Sequence, residues 1–154
     1  MKKDAAKKIA REIQEEHDRM KAEMAKISGM MAETITGDNF TEWRRGFLFL
    51  LRDFENDLQK HFDLEEEGGF MADVLAAHPE NEFSVNKLEH EHQEMTDMLI
   101  AILGDLKAIE VPDELEEKNI FERVRELITL LEAHEHAEGE LLTSVYYTDD
   151  GGGD

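Results

Sequence analysis

The chain of 154 residues reads as an all-α protein, an up-down-up-down antiparallel four-helix bundle with a short extra helix between the second and third long helices. Three observations predict this. Four long segments carry apolar residues at steps of three and four, the mark of a helix with one buried stripe. Only two prolines interrupt the chain, and most of the ten glycines fall in turns or the C-terminal tail. Short links join the first helix to the second and the third to the fourth, which makes each pair antiparallel.

The first helix is expected over about 4–34, with the stripe Ala6, Ala10, Ile13, His17, Met20, Met24, Ile27 and Met31. Thr36-Gly37-Asp38-Asn39 is a turn, and Asn39 with Glu42 forms a capping pair for the next helix. That second helix runs over about 39–67, with Phe47, Leu51, Phe54, Leu58, His61 and Glu65 along one face. Gly68-Gly69 ends or kinks it. Residues 70–77 form the short helix, followed by His78-Pro79 in a loop. The third long helix spans about 82–109, with Val85, Leu88, His92, Met95, Leu99, Ile102 and Leu106. Val111-Pro112-Asp113 stops it and starts the fourth, where Asp113 and Glu116 are the second capping pair. The fourth runs over about 113–147 through Ile120, Val124, Leu127, Leu131, His134, Glu138, Leu141 and Val145. The bundle thus occupies 1–148, and the acidic, glycine-rich tail 149–154 has nothing to bury.

The chain repeats itself weakly. Glu16-His17-Asp18-Arg19-Met20 matches Glu91-His92-Gln93-Glu94-Met95, and His61-x-x-x-Glu65 matches His134-x-x-x-Glu138. Two helix pairs related by an approximate two-fold axis would produce this.

The stripes contain six residues that do not belong in an apolar core: His17, His61, Glu65, His92, His134 and Glu138. An unpaired ionised carboxylate in a core costs several kcal/mol, so it needs a partner or a proton. No Lys or Arg lies on any of the four stripes, which leaves a metal cation. The six also converge in depth. His17 lies 20 residues before Gly37 and His61 lies 24 after it, while His92 and His134 lie 20 before and 22 after Pro112. At ~1.5 Å per residue all four sit roughly 30–36 Å from their turns. Residues four apart share a helix face, so His61 points with Glu65 and His134 with Glu138.

There are no cysteines, which excludes disulfides, iron–sulfur clusters and thiolate zinc sites. Imidazole and carboxylate suit iron, manganese, zinc or copper. Six ligands are too many for one structural zinc. They are a natural count for two metals, each with two His, bridged by two carboxylates, with an oxo or hydroxo bridge and a position open to a small molecule. His78, His90 and His136 read as exposed residues off the stripes. Glu66 reads as a solvated carboxylate. The methionines read as core filling, and Trp43 as packing against a helix end. Tyr146, two turns past Glu138, is a minor candidate ligand.

The formal net charge is −21, from 38 acidic and 17 basic residues. That argues against nucleic acid and anionic membranes as partners, since both need Lys and Arg. No segment approaches the roughly 18 apolar residues of a membrane span. Met1-Lys2-Lys3 is followed by no apolar run, so a cytoplasmic protein is expected. No residue pattern names a protein partner.

The set His17, His61-Phe62-Asp63-Leu64-Glu65, His92 and His134-Glu135-His136-Ala137-Glu138 resembles the hemerythrin-like family, whose members carry a His and then His-x-x-x-Glu, twice over. The resemblance covers about residues 10–147. It implies a hemerythrin-like bundle with two Fe ions in a carboxylate-bridged, oxo- or hydroxo-bridged centre. Its members bind dioxygen, sense oxygen or iron, or handle nitric oxide or peroxide. One departure stands out. The animal oxygen carriers have two His four apart on the third helix, whereas here Leu88 and Thr96 flank His92 at those positions. An open site is then expected, which favours sensing or redox chemistry over simple carriage. Three functions compete: small-molecule binding for storage, delivery or sensing; a diiron enzyme such as a peroxidase, nitric oxide reductase or ferroxidase; and a metal-free regulatory bundle.

Overall fold

The computed structural model describes residues 2–67 and 70–147, without the side chains of 2–6, 9, 146 and 147. Helix α1 spans Lys2–Met31, α2 Phe40–Glu66, α3 Phe70–Ala77, α4 Glu82–Ala108 and α5 Glu114–Leu142. A 3-10 turn, Pro79–Asn81, links α3 to α4, and a π turn, Thr143–Tyr147, continues α5. No strand occurs among the described residues. The four long helices have 27 to 30 residues, or roughly 40–45 Å at ~1.5 Å per residue.

Contacts between helix ends show the topology. Trp43, early in α2, donates its Nε1–H to the Met30 carbonyl near the end of α1 (2.9 Å). Deeper along the same pair, His17 meets His61. Arg44 of α2 donates to the Lys107 carbonyl at the end of α4 (2.9 Å), while Phe62 lies against His92. Arg123 of α5 pairs with Asp105 of α4. His17 faces Glu138 across α1 and α5. Each neighbour therefore runs antiparallel, in the ring α1–α2–α4–α5, and the up-down-up-down bundle is as expected.

The ends differ from expectation in detail. Helix α1 stops at Met31, about a turn short of Thr34. Trp43 takes up the Met30 carbonyl, and the β-branched run Thr34-Ile35-Thr36 favours extended backbone. Asn39 does not cap α2 with its side chain. Instead it ties the turn, accepting from the Thr36 N–H (2.7 Å) and donating to the Thr34 carbonyl (2.8 Å). Asp113 does cap α5, accepting from the Glu116 N–H (3.2 Å). The reciprocal acceptor for its own N–H is Glu117 (2.8 Å), not Glu116. The short helix over 70–77 forms as expected. Gly68, Gly69 and the tail 149–154 lie outside the described residues, as do the side chains of Ala6 and Tyr146.

The apolar stripes are buried as read, apart from Met31, which is half-buried. They form two separate clusters. The larger holds Met20, Met24, Ile27, Phe47, Leu51, Phe54, Leu58, Phe62, Leu99, Leu127 and Leu131, among others. The smaller, at the other end, holds Ala10, Ile13, Phe70, Met71, Val74, Val85, Leu88, Leu141, Leu142 and Val145. Short α3 caps this end with Phe70, Met71 and Val74. Between the clusters lies a polar layer one to two turns thick.

Candidate metal centre

The polar layer contains all six residues singled out in the sequence. His17 comes from α1, His61 and Glu65 from α2, His92 from α4, and His134 and Glu138 from α5. All six are buried, with Glu65 and Glu138 at 0% exposure. They sort into two groups of four: His17, His61, Glu65 and Glu138 in one, and His92, His134, Glu65 and Glu138 in the other. In each, the donor atoms lie within 4.8 Å of one another. The two carboxylates belong to both groups.

The halves mirror each other. His17 Nε2 is 3.0 Å from His61 Nε2, and His92 Nε2 is 3.0 Å from His134 Nε2. His61 Nε2 lies 2.6 Å from Glu65 Oε1, and His134 Nε2 is paired with Glu138 Oε1 in the same way. Both oxygens of Glu65 and of Glu138 are buried without a well-directed hydrogen bond. Four converging imidazole nitrogens around four such oxygens, with no Lys or Arg among them, form a donor set that lacks a cation. The residues fit a metal.

The two central carboxyls are driven in opposite directions. Burial, then the charge of Glu138, pushes the Glu65 carboxyl well above its usual range. Burial also works to raise Glu138, but the facing Glu65 carboxyl and the imidazoles of His134, His17 and His92 outweigh it and hold Glu138 well below the range. Two of the histidines shift as well. Burial takes His61 down to about 4, so it is a neutral imidazole with a free lone pair at neutral pH. Burial works against charge on His134 too, but Glu138 and Glu91 outweigh it and raise its value.

The sequence reading missed two residues that set the ring orientations. The Nδ1–H of His61 donates to Glu16 Oε2 (2.9 Å), and that of His134 to Glu91 Oε1 (2.8 Å). A carboxylate is acceptor-only, so it fixes the proton on Nδ1 and turns the Nε2 lone pair to the centre. The signal was present in the repeat, where Glu precedes His in both copies. Glu66 is a correction: it is half-buried, and its Oε1 lies 3.6 Å from His92 Nδ1, not loose in solvent. A third omission is Glu135, buried at 8% exposure, with burial pushing its carboxyl up. It lies one step from a stripe His, off the apolar period that marked the other six.

The remaining histidines divide. His90 and His136 are exposed, each paired with a glutamate four residues on. His78 is half-buried instead of exposed, because the 3-10 turn folds back and brings Glu80 to its Nδ1 (3.2 Å). Neither position flanking His92 offers a ligand. Leu88 is packed in the smaller apolar cluster, and the Thr96 hydroxyl donates to the His92 carbonyl (2.8 Å). Access differs between the halves. Phe62 stacks on His92 with ring centroids 3.9 Å apart and planes 12° apart, closing that side. On the other side a groove of about 1020 Å³ between α1 and α5 reaches His17 and Glu135.

No helix among the described residues is long and apolar enough to cross a membrane. No curated protein and no solved structure shows significant similarity to the chain. The family model that matches is the hemerythrin HHE cation binding domain, over residues 8–146.

Proposed function

Because the chain belongs to the hemerythrin HHE cation binding domain family, we propose that it is a non-haem diiron protein that binds dioxygen, or the related nitric oxide or peroxide, for storage, delivery or sensing. The observation that carries this reading is the pair of four-residue groups that share Glu65 and Glu138. His17 and His61 would hold one iron and His92 and His134 the other, with the two carboxylates between them. Such a centre supplies two redox-active Lewis-acidic ions to a small ligand. The chain's own residues do the rest. Glu16 and Glu91 keep the protons of His61 and His134 on Nδ1, away from the centre. Phe62 and the apolar clusters on either side keep bulk water out. The groove at His17 gives a small molecule a way in.

That groove also favours a second reading, a diiron enzyme acting on peroxide, nitric oxide or ferrous iron, because it opens to solvent beside His17 and so leaves room for a substrate to enter and a product to leave. Metal analysis with visible spectra, after purification under reducing conditions, tests both. Two irons per chain and a spectrum that changes on admitting dioxygen and reverses on its removal support the binder. Irreversible oxidation in air with catalytic consumption of peroxide or nitric oxide supports the enzyme. A chain that takes up no metal, and loses no stability in the His61→Ala and His134→Ala variants, supports neither.

A further inference from the structure

Each imidazole that turns Nε2 to the centre has a second ring nitrogen, and the four are not treated alike. His61 and His134 donate from Nδ1 to Glu16 and Glu91 at 2.9 and 2.8 Å. His92 Nδ1 is buried without a hydrogen-bond partner, with Glu66 Oε1 3.6 Å away. His17 turns Nε2 to His61 and Glu138, and its Nδ1 has no hydrogen bond or ion pair among the described residues.

The internal repeat locates the difference. It aligns His61-Phe62-Asp63-Leu64-Glu65-Glu66 with His134-Glu135-His136-Ala137-Glu138-Gly139, so the counterpart of Glu66 is Gly139. Glu66 on α2 faces His92 on α4, and Gly139 on α5 lines the groove together with His17 of α1. The carboxylate is not missing there for want of room, because a Cβ at Gly139 would meet nothing within 4 Å. On the other half, Phe62 stacks on the His92 ring with planes 12° apart, which holds the ring in place and keeps its Nδ1 toward Glu66. At 3.6 Å that contact is too long for a hydrogen bond. The Glu66 side chain is 36% exposed, so it has the freedom to shorten the contact or to bridge it through one water. A buried ring nitrogen without a partner is costly, and Glu66 is the acceptor within reach.

We propose that Glu66 is a positioning residue for His92, fixing its proton on Nδ1 and its Nε2 lone pair on the centre, and that Gly139 leaves His17 without the equivalent brace. This rests on the two-metal reading above. An imidazole with no acceptor at Nδ1 keeps both tautomers open, and the one with its proton on Nε2 blocks coordination. The metal between His17 and His61 is then the more weakly held of the two. Its loosely set ligand is also the one that borders the groove, so metal exchanges with solvent first from that half.

Nitrogen-15 NMR of the metal-free chain reads the tautomer of each ring, and anaerobic ferrous titration against a competing chelator reads the two metals. In the wild type we expect His92 with its proton on Nδ1 and His17 as a mixture of tautomers. Glu66→Ala turns His92 into a mixture and weakens one metal about tenfold or more. Glu66→Gln, which keeps an acceptor oxygen, restores part of both. Gly139→Glu supplies the missing carboxylate: the His17 proton moves to Nδ1 and the weaker metal binds more tightly. A folded Glu66→Ala chain with the wild-type His92 tautomer and wild-type affinities would overturn the role of Glu66 and leave the two-metal reading standing. A His17 tautomer ratio unchanged in Gly139→Glu would overturn the role of Gly139. Fewer than two irons in a wild-type chain that shows the expected tautomers would sink the two-metal reading instead.

Discussion

Removing the Glu16 carboxylate should weaken one metal site and leave the other intact. Glu16 accepts from His61 Nδ1 at 2.9 Å, and its side chain is only 22% exposed. A hydrogen bond to a charged group is worth about 1.5–3 kcal/mol when its partner is left buried. Losing a carboxylate behind a ligating His typically costs about 10–100-fold in metal affinity, or roughly 1.4–2.7 kcal/mol. The two scales agree, because both measure the same ring held in one tautomer. In Glu16→Ala the imidazole is free to move its proton to Nε2, where it blocks coordination. We therefore expect the His17–His61 metal to bind about 10–100-fold more weakly, and Glu91→Ala to do the same to the His92–His134 metal. Glu16→Gln, which keeps an acceptor oxygen without its charge, should fall between. Arg19 touches Glu16 only at the surface (3.5 Å), so Arg19→Ala is the control that changes little. Chelator competition under anaerobic conditions reads the affinity, and far-ultraviolet circular dichroism checks the fold. Affinities within about twofold of wild type in a folded Glu16→Ala chain would refute the reasoning, since they lie outside the range a ring-orienting carboxylate produces.

Replacing Glu65 and Glu138 together by Gln should abolish tight metal binding, and Glu65→Gln alone, at the carboxyl that burial pushes up, should raise the melting temperature of the metal-free chain. A fall in the Glu65→Gln melting temperature would contradict it. Phe47 is fully buried and stacks on Trp43 with centroids 5.0 Å apart, so Phe47→Ala should cost about 3–5 kcal/mol. For a chain of this size that lowers the melting point on the order of 10 °C. Metal stoichiometry measured below the transition should not change, and a lost metal would mean that the two ends are more tightly coupled than drawn. Glu23 is raised to about 8 by burial and by its hydrogen bond with Asp57. Its folded value exceeds its unfolded one, so the folded state retains a proton that the unfolded chain releases between pH 4.5 and 8. Stability is lost across that window, and Glu23→Gln should therefore stabilise the chain more at pH 8 than at pH 5 in denaturant titrations. An equal effect at both pH values would remove Glu23 from the account.

The bundle and the six central residues were legible because they obey and then break one rule. The 3.6-residue period marks the stripes, and His17, His61, Glu65, His92, His134 and Glu138 stand out as polar residues on them. Residues that act from beside the stripe carry no such mark. Glu16 and Glu91 sit at positions where a solvated glutamate is ordinary, and only their distance to a ring nitrogen on another helix gives them a role. Glu135 was passed over, and His78 misjudged, for the same reason. Burial off the main stripe depends on how far apart α1 and α5 stand and on how the turn after α3 folds, neither of which periodicity encodes. Asn39 shows the limit for caps: a residue with several ways to bond backbone groups chose the turn over the helix start.

The polar layer also divides the protein into two apolar bodies of unequal size. A continuous core passes cooperativity from end to end, whereas a seam of buried His and Glu passes little. In the metal-free chain the small end, built on Ile13, Phe70, Val74, Val85 and Leu141, should open without the large end following. Its amide protons would then exchange at a free energy well below that of global unfolding. Bound metal would tie all four helices at that seam, so the two bodies should then melt as one. Iron would then act as the fastener that makes a single folding unit out of two, and loss of iron would be legible to the outside as fraying at the end that carries α3.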